Sequence, residues 1–223
     1  MRWVNVEGFD TLMVRELCSA IHVGPLVMRE LVSNGSCVQP QGQFVNVWLE
    51  PSSDSVPCAY ASFSVGENLK VFVLMLAKTI VTISQRFASS APNVDVFNAL
   101  ASNIKNGPDR PTDTAQMFSH IVDAIADRYA ALLNEMGDSI ESVDARIASS
   151  PEVEQSVRQA KHYLRRNVLL LKKRLCFARD GAAAFSEDKV FAKSKLMMVS
   201  VRRRFEAMME TAETYEQVLA LSN

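Results

Sequence analysis

Residues 117–147 read MFSHIVDAIADRYAALLNEMGDSIESVDARI, and their apolar positions decide the fold class of the second half of the chain. Apolar side chains recur every three or four residues, which is the spacing of one face of an α-helix. They are Met117, Phe118, Ile121, Val122, Ile125, Tyr129, Leu132, Leu133, Met136, Ile140, Val143 and Ile147. At about 1.5 Å per residue, this segment predicts a rod of roughly 50 Å.

Two more long helices are predicted after this rod. Ser150-Pro151-Glu152 supplies a serine cap, a proline at the first helical position and an acid at the positive end of the helix dipole. The second helix is therefore expected to run from there to about Arg179, where Gly181 can adopt the left-handed conformation that closes it. A third helix is predicted from a cap-like start at Ser186-Glu187-Asp188. It has no stop signal before Asn223, so we expect it to be cut there from a longer helix.

The first 107 residues have a different pattern. Short β-type runs alternate with helical patterns, which indicates an α/β or α+β lobe. The β-type runs are 44–49, 71–76 and 79–83, and the helical patterns are 12–21 and 94–104. The continuous apolar run at 71–77 predicts a strand covered on both faces, and hence a sheet between two layers of helices.

The two patterns meet at Gly107-Pro108-Asp109-Arg110-Pro111, where two prolines and a glycine exclude helix and central strand. We therefore predict an α+β chain with two domains. Residues 1–107 form an α/β/α sandwich lobe, and residues 112–223 form a long-helix region with two antiparallel helices followed by a C-terminal stalk helix.

Composition bounds the class of protein. The chain has 223 residues, of which 48% are hydrophobic, so it can bury a sizeable core. Its net charge of −1 gives no overall excess of positive charge for binding nucleic acid. The apolar runs are shorter than a membrane span and no secretory signal is visible, so we expect a soluble segment. The four cysteines have no metal-ligand spacing and are expected to be reduced.

Charge is segregated along the helical half. Residues 112–157 carry nine acids and two bases, whereas residues 158–204 carry fourteen bases and three acids. One interpretation is an acidic rod lying antiparallel against a basic rod, with a few exposed ion pairs. The other is a surface patch for phosphates, which lacks the interleaved aromatics of a specific nucleic-acid site. That patch would comprise Arg165, Arg166, Lys172, Lys173, Arg174 and Arg202-Arg203-Arg204.

The common catalytic and nucleotide-binding motifs are absent from the sequence, so we predict a protein that is not an enzyme. One pair of acids is a candidate metal site. Asp123 and Asp127 are four residues apart, which places both carboxylates on one helix face. They could hold a hard cation such as Mg²⁺, or they could simply be solvated.

The order of the motifs resembles the soluble domain of the CorA family of divalent-cation transporters. Trp3-Val4-Asn5-Val6-Glu7-Gly8 resembles the family's first strand, and Val122-Asp123-Ala124-Ile125-Ala126-Asp127-Arg128-Tyr129 resembles its helix with the pattern D-A-L-x-D-x-Y. Leu164-Arg165-Arg166-Asn167-Val168 resembles its next helix, and Glu213-Thr214-Tyr215 its stalk. Gly24 and Arg29 depart from the pattern, which indicates a distant member. The family's two membrane helices and Gly-Met-Asn signature are not in this sequence.

The resemblance implies a homopentameric funnel on the cytoplasmic face of a membrane, whose stalk helices lead into the pore. In family members that sense Mg²⁺, the ion bridges two subunits between an acid after the sheet and an acid on the stalk. Asp95 matches the first position, where the alternative role is a helix N-cap, and Ser200 matches the second. Because serine is a poor substitute for a carboxylate, we expect a weak or absent bridging metal.

Two functions follow from these observations. The first is the cytoplasmic regulatory domain of a transporter for a divalent cation, with Mg²⁺ the expected ion, anchored through membrane helices outside this sequence and binding no nucleic acid. The alternative is a free-standing helical scaffold that binds another protein or a nucleic acid through its basic face.

Overall fold

The structure is a computed structural model that describes residues 1–8, 10–21, 23, 28–29, 31–32, 59–65, 69–86, 97–106, 110–149 and 155–221. Four predicted features lie outside these residues. They are the strand at 44–49, the helix start at Ser150-Pro151-Glu152, Asp95, and the departure at Gly24.

In the described part of the chain, a mixed sheet of four strands forms the N-terminal layer. Its strands are β1 (Arg2–Glu7), β2 (Ala59–Val65), β3 (Leu69–Met75) and β4 (Thr79–Arg86). They lie in the order β1-β4-β3-β2, and β1 runs parallel to β4 while the other pairs are antiparallel. The predicted strands at 71–76 and 79–83 are therefore confirmed as β3 and β4.

β3 is buried on both faces, as its continuous apolar run predicts. Val71, Val73 and Met75 belong to one hydrophobic cluster, and Phe72 and Leu74 belong to another. This alternation is the two-residue period of a strand. The sheet therefore separates two cores, which confirms the predicted sandwich.

Helices cover the two faces of the sheet. Helix α1 (Thr11–Ala20) packs Val14 and Cys18 against the cluster of Phe72 and Leu74. Asp10 caps α1, because its carboxylate accepts a hydrogen bond of 2.8 Å from the backbone N–H of Leu12. The opposite face is covered by α2 (Asn98–Asn106) and by the long helices that follow.

Three long helices form the second half. They are α3 (Thr114–Ser149), α4 (Gln155–Glu187) and α5 (Lys195–Leu221), with a short 3₁₀-helix at Lys189–Ser194 between the last two. Asp188 caps the 3₁₀-helix by accepting a 2.8 Å hydrogen bond from Val190 N–H. The predicted start of the third long helix at Ser186-Glu187-Asp188 is nevertheless wrong, because Ser186 and Glu187 end α4 and α5 begins only at Lys195.

The prediction that Gly181 closes the second helix is wrong. Gly181 is buried inside α4, which continues for six more residues to Glu187. The extension brings the ring of Phe185 to centroid distances of 4.8 Å from Phe118 and 5.1 Å from Phe191. Alanines follow Gly181, and their high helix propensity together with this aromatic cluster outweighs the local tendency of glycine to end a helix.

The helix directions follow from paired contacts. Phe185 lies beside Phe191 at one end, while Lys172 contacts Glu216 further along, so α4 runs antiparallel to α5. Tyr129 contacts Phe205, and Gly137 contacts Tyr215, so α3 runs parallel to α5. The predicted division at 107/112 stays a prediction, and one hydrophobic cluster joins the sheet to all three long helices.

Hydropathy along the described helices is moderate. None of them has a stretch long and apolar enough to cross a membrane.

Candidate functional site: the contact between α3 and α5

Arg204 on α5 joins both members of the predicted acid pair on α3. One guanidinium nitrogen donates to Asp123 Oδ1 and the other donates to Asp127 Oδ1. The two carboxylates are one helical turn apart, so a forked guanidinium can reach both. The Arg204 and Asp123 side chains are 35% and 36% exposed, and Asp127 is 69% exposed. The site is therefore a partly shielded ion pair at the edge of the helix contact.

The charge of Arg204 is stabilised in this position. Burial opposes the charged form, but the hydrogen bond that Arg204 donates to Asp127 and the negative charge of Asp123 outweigh burial and raise the pKa of Arg204. The guanidinium therefore stays a permanent cation between the two carboxylates.

Next to this ion pair, Tyr129 of α3 contacts both α5 and the sheet. Its ring packs edge-on against Phe205 of α5 at a centroid distance of 6.0 Å. Its hydroxyl donates a 2.8 Å hydrogen bond to the backbone carbonyl of Ser64 in β2. Burial raises the pKa of Tyr129, although the positive charge of Arg174 acts in the opposite direction. The contact between α3 and α5 is thereby attached to the sheet.

Two turns further along α3, Gly137 allows the helices to come close. A Cβ atom built on Gly137 would collide with the hydroxyl of Tyr215 and lie 3.1 Å from its Cζ. Any larger residue here would therefore force the tyrosine ring to shift. Tyr215 belongs to Glu213-Thr214-Tyr215, the stalk motif identified in the sequence.

A second charged contact joins α4 to α5. Lys172 Nζ lies 3.1 Å from Glu213 Oε1 and 3.3 Å from Glu216 Oε2. The hydrogen bond with Glu213 is the main cause that raises the pKa of Lys172. An open groove of about 280 Å³ lies beside this contact, lined by Arg165, Lys172, Glu213, Glu216, Gln217 and Ala220.

The first strand has its own polar chain, which sequence analysis missed. Trp3 Nε1 donates a 3.0 Å hydrogen bond to Thr82 Oγ1, which donates in turn to Asn5 Oδ1 at 2.7 Å. Trp3 also packs edge-on against Phe97 at 5.8 Å. The tryptophan and asparagine of the strand motif thus bind one residue of the neighbouring strand. Only the parallel pairing of β1 with β4, which places Asn5 opposite Thr82, brings them together.

The four predicted metal ligands have different positions. Asp123 and Asp127 lie together and bind Arg204, and Ser200 is exposed on α5 one turn before Arg204. Asp95 is outside the described residues. Within the described part of the chain, no three side chains of the types His, Cys, Asp and Glu are grouped so that they could hold a metal ion.

The segregated charges take part in contacts between the long helices. In the part of the chain that the structure describes, Arg204 joins α5 to α3 and Lys172 joins α4 to α5 through ion pairs. Arg174 of the predicted phosphate patch is buried, whereas Arg165 and Arg166 are exposed. The basic residues predicted for that patch therefore do not form one surface.

A family model and a relative that match this chain both belong to one family of proteins. The family described as CorA-like Mg²⁺ transporter protein matches residues 57–222. The cobalt/magnesium transport protein CorA of Thermotoga maritima is 22% identical over 222 residues, which cover 96% of this chain and 59% of that protein. The chain therefore spans less than two thirds of the length of this relative.

Two solved structures share the fold. The complete CorA magnesium transporter of Methanocaldococcus jannaschii has a TM-score of 0.73 at 13% identity, over 99% of this chain and 67% of that one. The soluble domain of the same transporter has a TM-score of 0.72 at 13% identity, over 99% of this chain and 85% of that one. The sequence match covers more than half of the chain, and the fold agrees with it. The chain belongs to the CorA-like Mg²⁺ transporter family.

Proposed function

We propose that this chain is the cytoplasmic regulatory domain of a CorA-type transporter for divalent cations, with Mg²⁺ as the transported ion. The observation that carries the proposal is the family match over residues 57–222, which includes all of α3, α4 and α5. The fold likeness to the soluble domain of a CorA transporter supports the same assignment. The domain would act by moving α5, and it would perform no covalent catalysis.

In this proposal α5 is the stalk helix. The lobes of five copies of the chain surround their five stalk helices, and each stalk leads into a membrane helix that lines the pore. The contact of Arg204 with Asp123 and Asp127 attaches α5 to the rest of its own subunit. A movement of the lobe is therefore transmitted to the stalk through α3.

The two proposed sensing sites differ in the groups that they offer to a divalent cation. Ser200 is exposed on α5, where an adjacent subunit could bring Asp95 to it. A serine hydroxyl offers no negative charge, and Arg202 to Arg204 lie within the next turn of α5, so a divalent cation would be held weakly there. The second proposed site is the pair of Asp123 and Asp127, where a cation must compete with Arg204.

Two experiments test this proposal. The complete reading frame of the gene is expected to encode two apolar segments of about 20 residues shortly after Asn223. A stop codon directly after Asn223 would instead favour the scaffold.

The second experiment titrates Mg²⁺ into the purified chain while light scattering reports its mass. We expect little change in mass up to millimolar Mg²⁺, because Ser200 supplies no carboxylate. A tight pentamer that forms only with millimolar Mg²⁺ would contradict the proposed weak bridging site.

A further inference from the structure

The first half of α4 carries a stripe of exposed basic side chains. They recur at intervals of three, four or seven residues, so they share one face of the helix. We call this face the basic stripe, and it comprises Arg158, His162, Arg165, Arg166, Leu169 and Lys173, all of them exposed. Leu169 is 45% exposed, so the stripe includes an apolar side chain between its charges.

The helix packing fixes the place of the stripe in the bundle. α4 runs antiparallel to α5, and Arg165 lines the same groove as Ala220 near the end of α5. The residues from 155 to 164 therefore extend beyond the level of Ala220. At about 1.5 Å per residue, ten residues extend by roughly 15 Å. The beginning of the stripe is thus farther along the α5 direction than the last described turn of α5.

The positive charge of this face is not neutralised by ion pairs within the described part of the chain. Within the described residues, Arg158, Arg165 and Arg166 form no ion pair, whereas Lys172 deeper in the groove is paired with Glu213 and Glu216. Positions 155–166 contain four bases and no acid. Acids do occur nearby: Glu141 and Asp144 lie on α3, and the sequence just before α4 contains Glu152 and Glu154. The positive charge therefore belongs to the exposed face of α4 and not to this end of the bundle as a whole.

We propose that the basic stripe docks on the anionic headgroups of the membrane that the transporter spans. This inference rests on the proposed function, because the proposed stalk directs the end of α5 towards the membrane. The start of α4 then lies at least as close to the lipid surface as the end of α5 does. Arginines paired with an exposed leucine suit such a surface, since the guanidinium groups bind phosphate and the leucine enters the headgroup region.

Vesicle co-sedimentation of the purified chain tests the docking. The chain is expected to bind vesicles of 70% phosphatidylcholine and 30% phosphatidylglycerol at 50 mM NaCl, and to dissociate at 500 mM NaCl because salt screens the attraction. Vesicles of phosphatidylcholine alone are expected to bind little. The variant Arg158→Gln, Arg165→Gln, Arg166→Gln is expected to bind the anionic vesicles about a hundredfold more weakly.

A matched variant removes three charges from the other end of the bundle. Lys189, Lys193 and Lys195 are exposed there, and their replacement by Gln is expected to leave vesicle binding unchanged. Thermal melts recorded by circular dichroism show whether either variant is misfolded. Equal loss of binding in both folded variants would overturn the docking face, as would equal binding of the wild-type chain to neutral vesicles.

A duplex DNA of 20 base pairs serves as a competing polyanion. If the DNA bound as tightly as the anionic vesicles and depended on the same three arginines, the stripe would be a general anion site and the lipid assignment would be overturned. Mg²⁺ uptake by the complete protein is measured separately. Normal uptake without vesicle binding would overturn this inference and leave the proposed function intact.

Discussion

Arg204 on α5 and Asp123 on α3 form an ion pair although they are 81 residues apart in the sequence. The same guanidinium also binds Asp127, 77 residues away. The acid pair that the sequence offers as a metal site thus already holds a cation from the protein itself. The contact between α3 and the proposed stalk helix therefore includes a cation that the protein's own side chain supplies.

Removing this cation is expected to loosen the contact. Arg204→Gln should lower the free energy of unfolding by about 1 kcal/mol, because the partly exposed ion pairs with both aspartates are lost. Urea denaturation followed by circular dichroism measures the change. Arg203→Gln is the control, since Arg203 is exposed on the same helix, and it should change stability by less than about 0.5 kcal/mol. Equal effects of the two substitutions would contradict the role of the Arg204 contact.

A different substitution of Arg204 tests the proposed cation site on α3. Arg204→Ala should raise the affinity of the chain for Mn²⁺ by roughly thirtyfold, since a unit charge at about 4 Å from a divalent cation in water contributes about 2 kcal/mol. Electron paramagnetic resonance of free Mn²⁺ measures the binding. Asp123→Asn with Asp127→Asn, added to Arg204→Ala, should abolish the gain. An unchanged affinity in Arg204→Ala would show that the two aspartates are not cation ligands.

Gly137→Ala is expected to destabilise the chain by about 1 kcal/mol, because the new methyl group would collide with the hydroxyl of Tyr215. Tyr215→Phe removes that hydroxyl. Gly137→Ala should therefore lower the free energy of unfolding less in a Tyr215→Phe background than in the wild-type chain. Thermal or urea unfolding of the four proteins in the cycle gives the coupling. Additive effects would mean that the ring of Tyr215 moves away freely and that Gly137 is not required for this contact.

Thr82→Val should lower the free energy of unfolding by about 2 kcal/mol, because it leaves Trp3 Nε1 and Asn5 Oδ1 without their shared partner. The side chains of threonine and valine have nearly the same shape, so the packing around position 82 changes little. Thr79→Val on the same strand is the matched control, since within the described residues the Thr79 side chain forms no hydrogen bond. A loss in Thr82→Val no larger than in the control would show that water satisfies both groups.

Local patterns in the sequence predicted the long helices well. The spacing of apolar residues from Met117 to Ile147 depends on neighbours within two turns, so α3 could be identified without knowing the fold. The run at 71–77 likewise indicated a strand buried on both faces. Gly181 was misjudged because its local preference for a helix end is outweighed by the distant contact of Phe185 with Phe118.

In the candidate site, too, the sequence predicted what depends on neighbouring residues and missed what depends on distant contacts. The spacing of Asp123 and Asp127 predicted a shared helix face, which local geometry determines. Their partner Arg204 could not be predicted, because it depends on α5 running parallel to α3 after two intervening reversals of the chain. Thr82 was missed for a similar reason, since its partners Trp3 and Asn5 are joined to it only by the register of β1 with β4.

Ion uptake tests the central claim most directly. The complete protein encoded by the gene is produced in bacterial cells that lack their own Mg²⁺ uptake systems, and intracellular Mg²⁺ is recorded with a fluorescent indicator after Mg²⁺ is added outside. We predict a rise in intracellular Mg²⁺ that cells with an empty vector do not show. A protein that reaches the membrane and yet produces no rise with Mg²⁺, Co²⁺ or another divalent cation would contradict the assignment of this chain to a divalent-cation transporter.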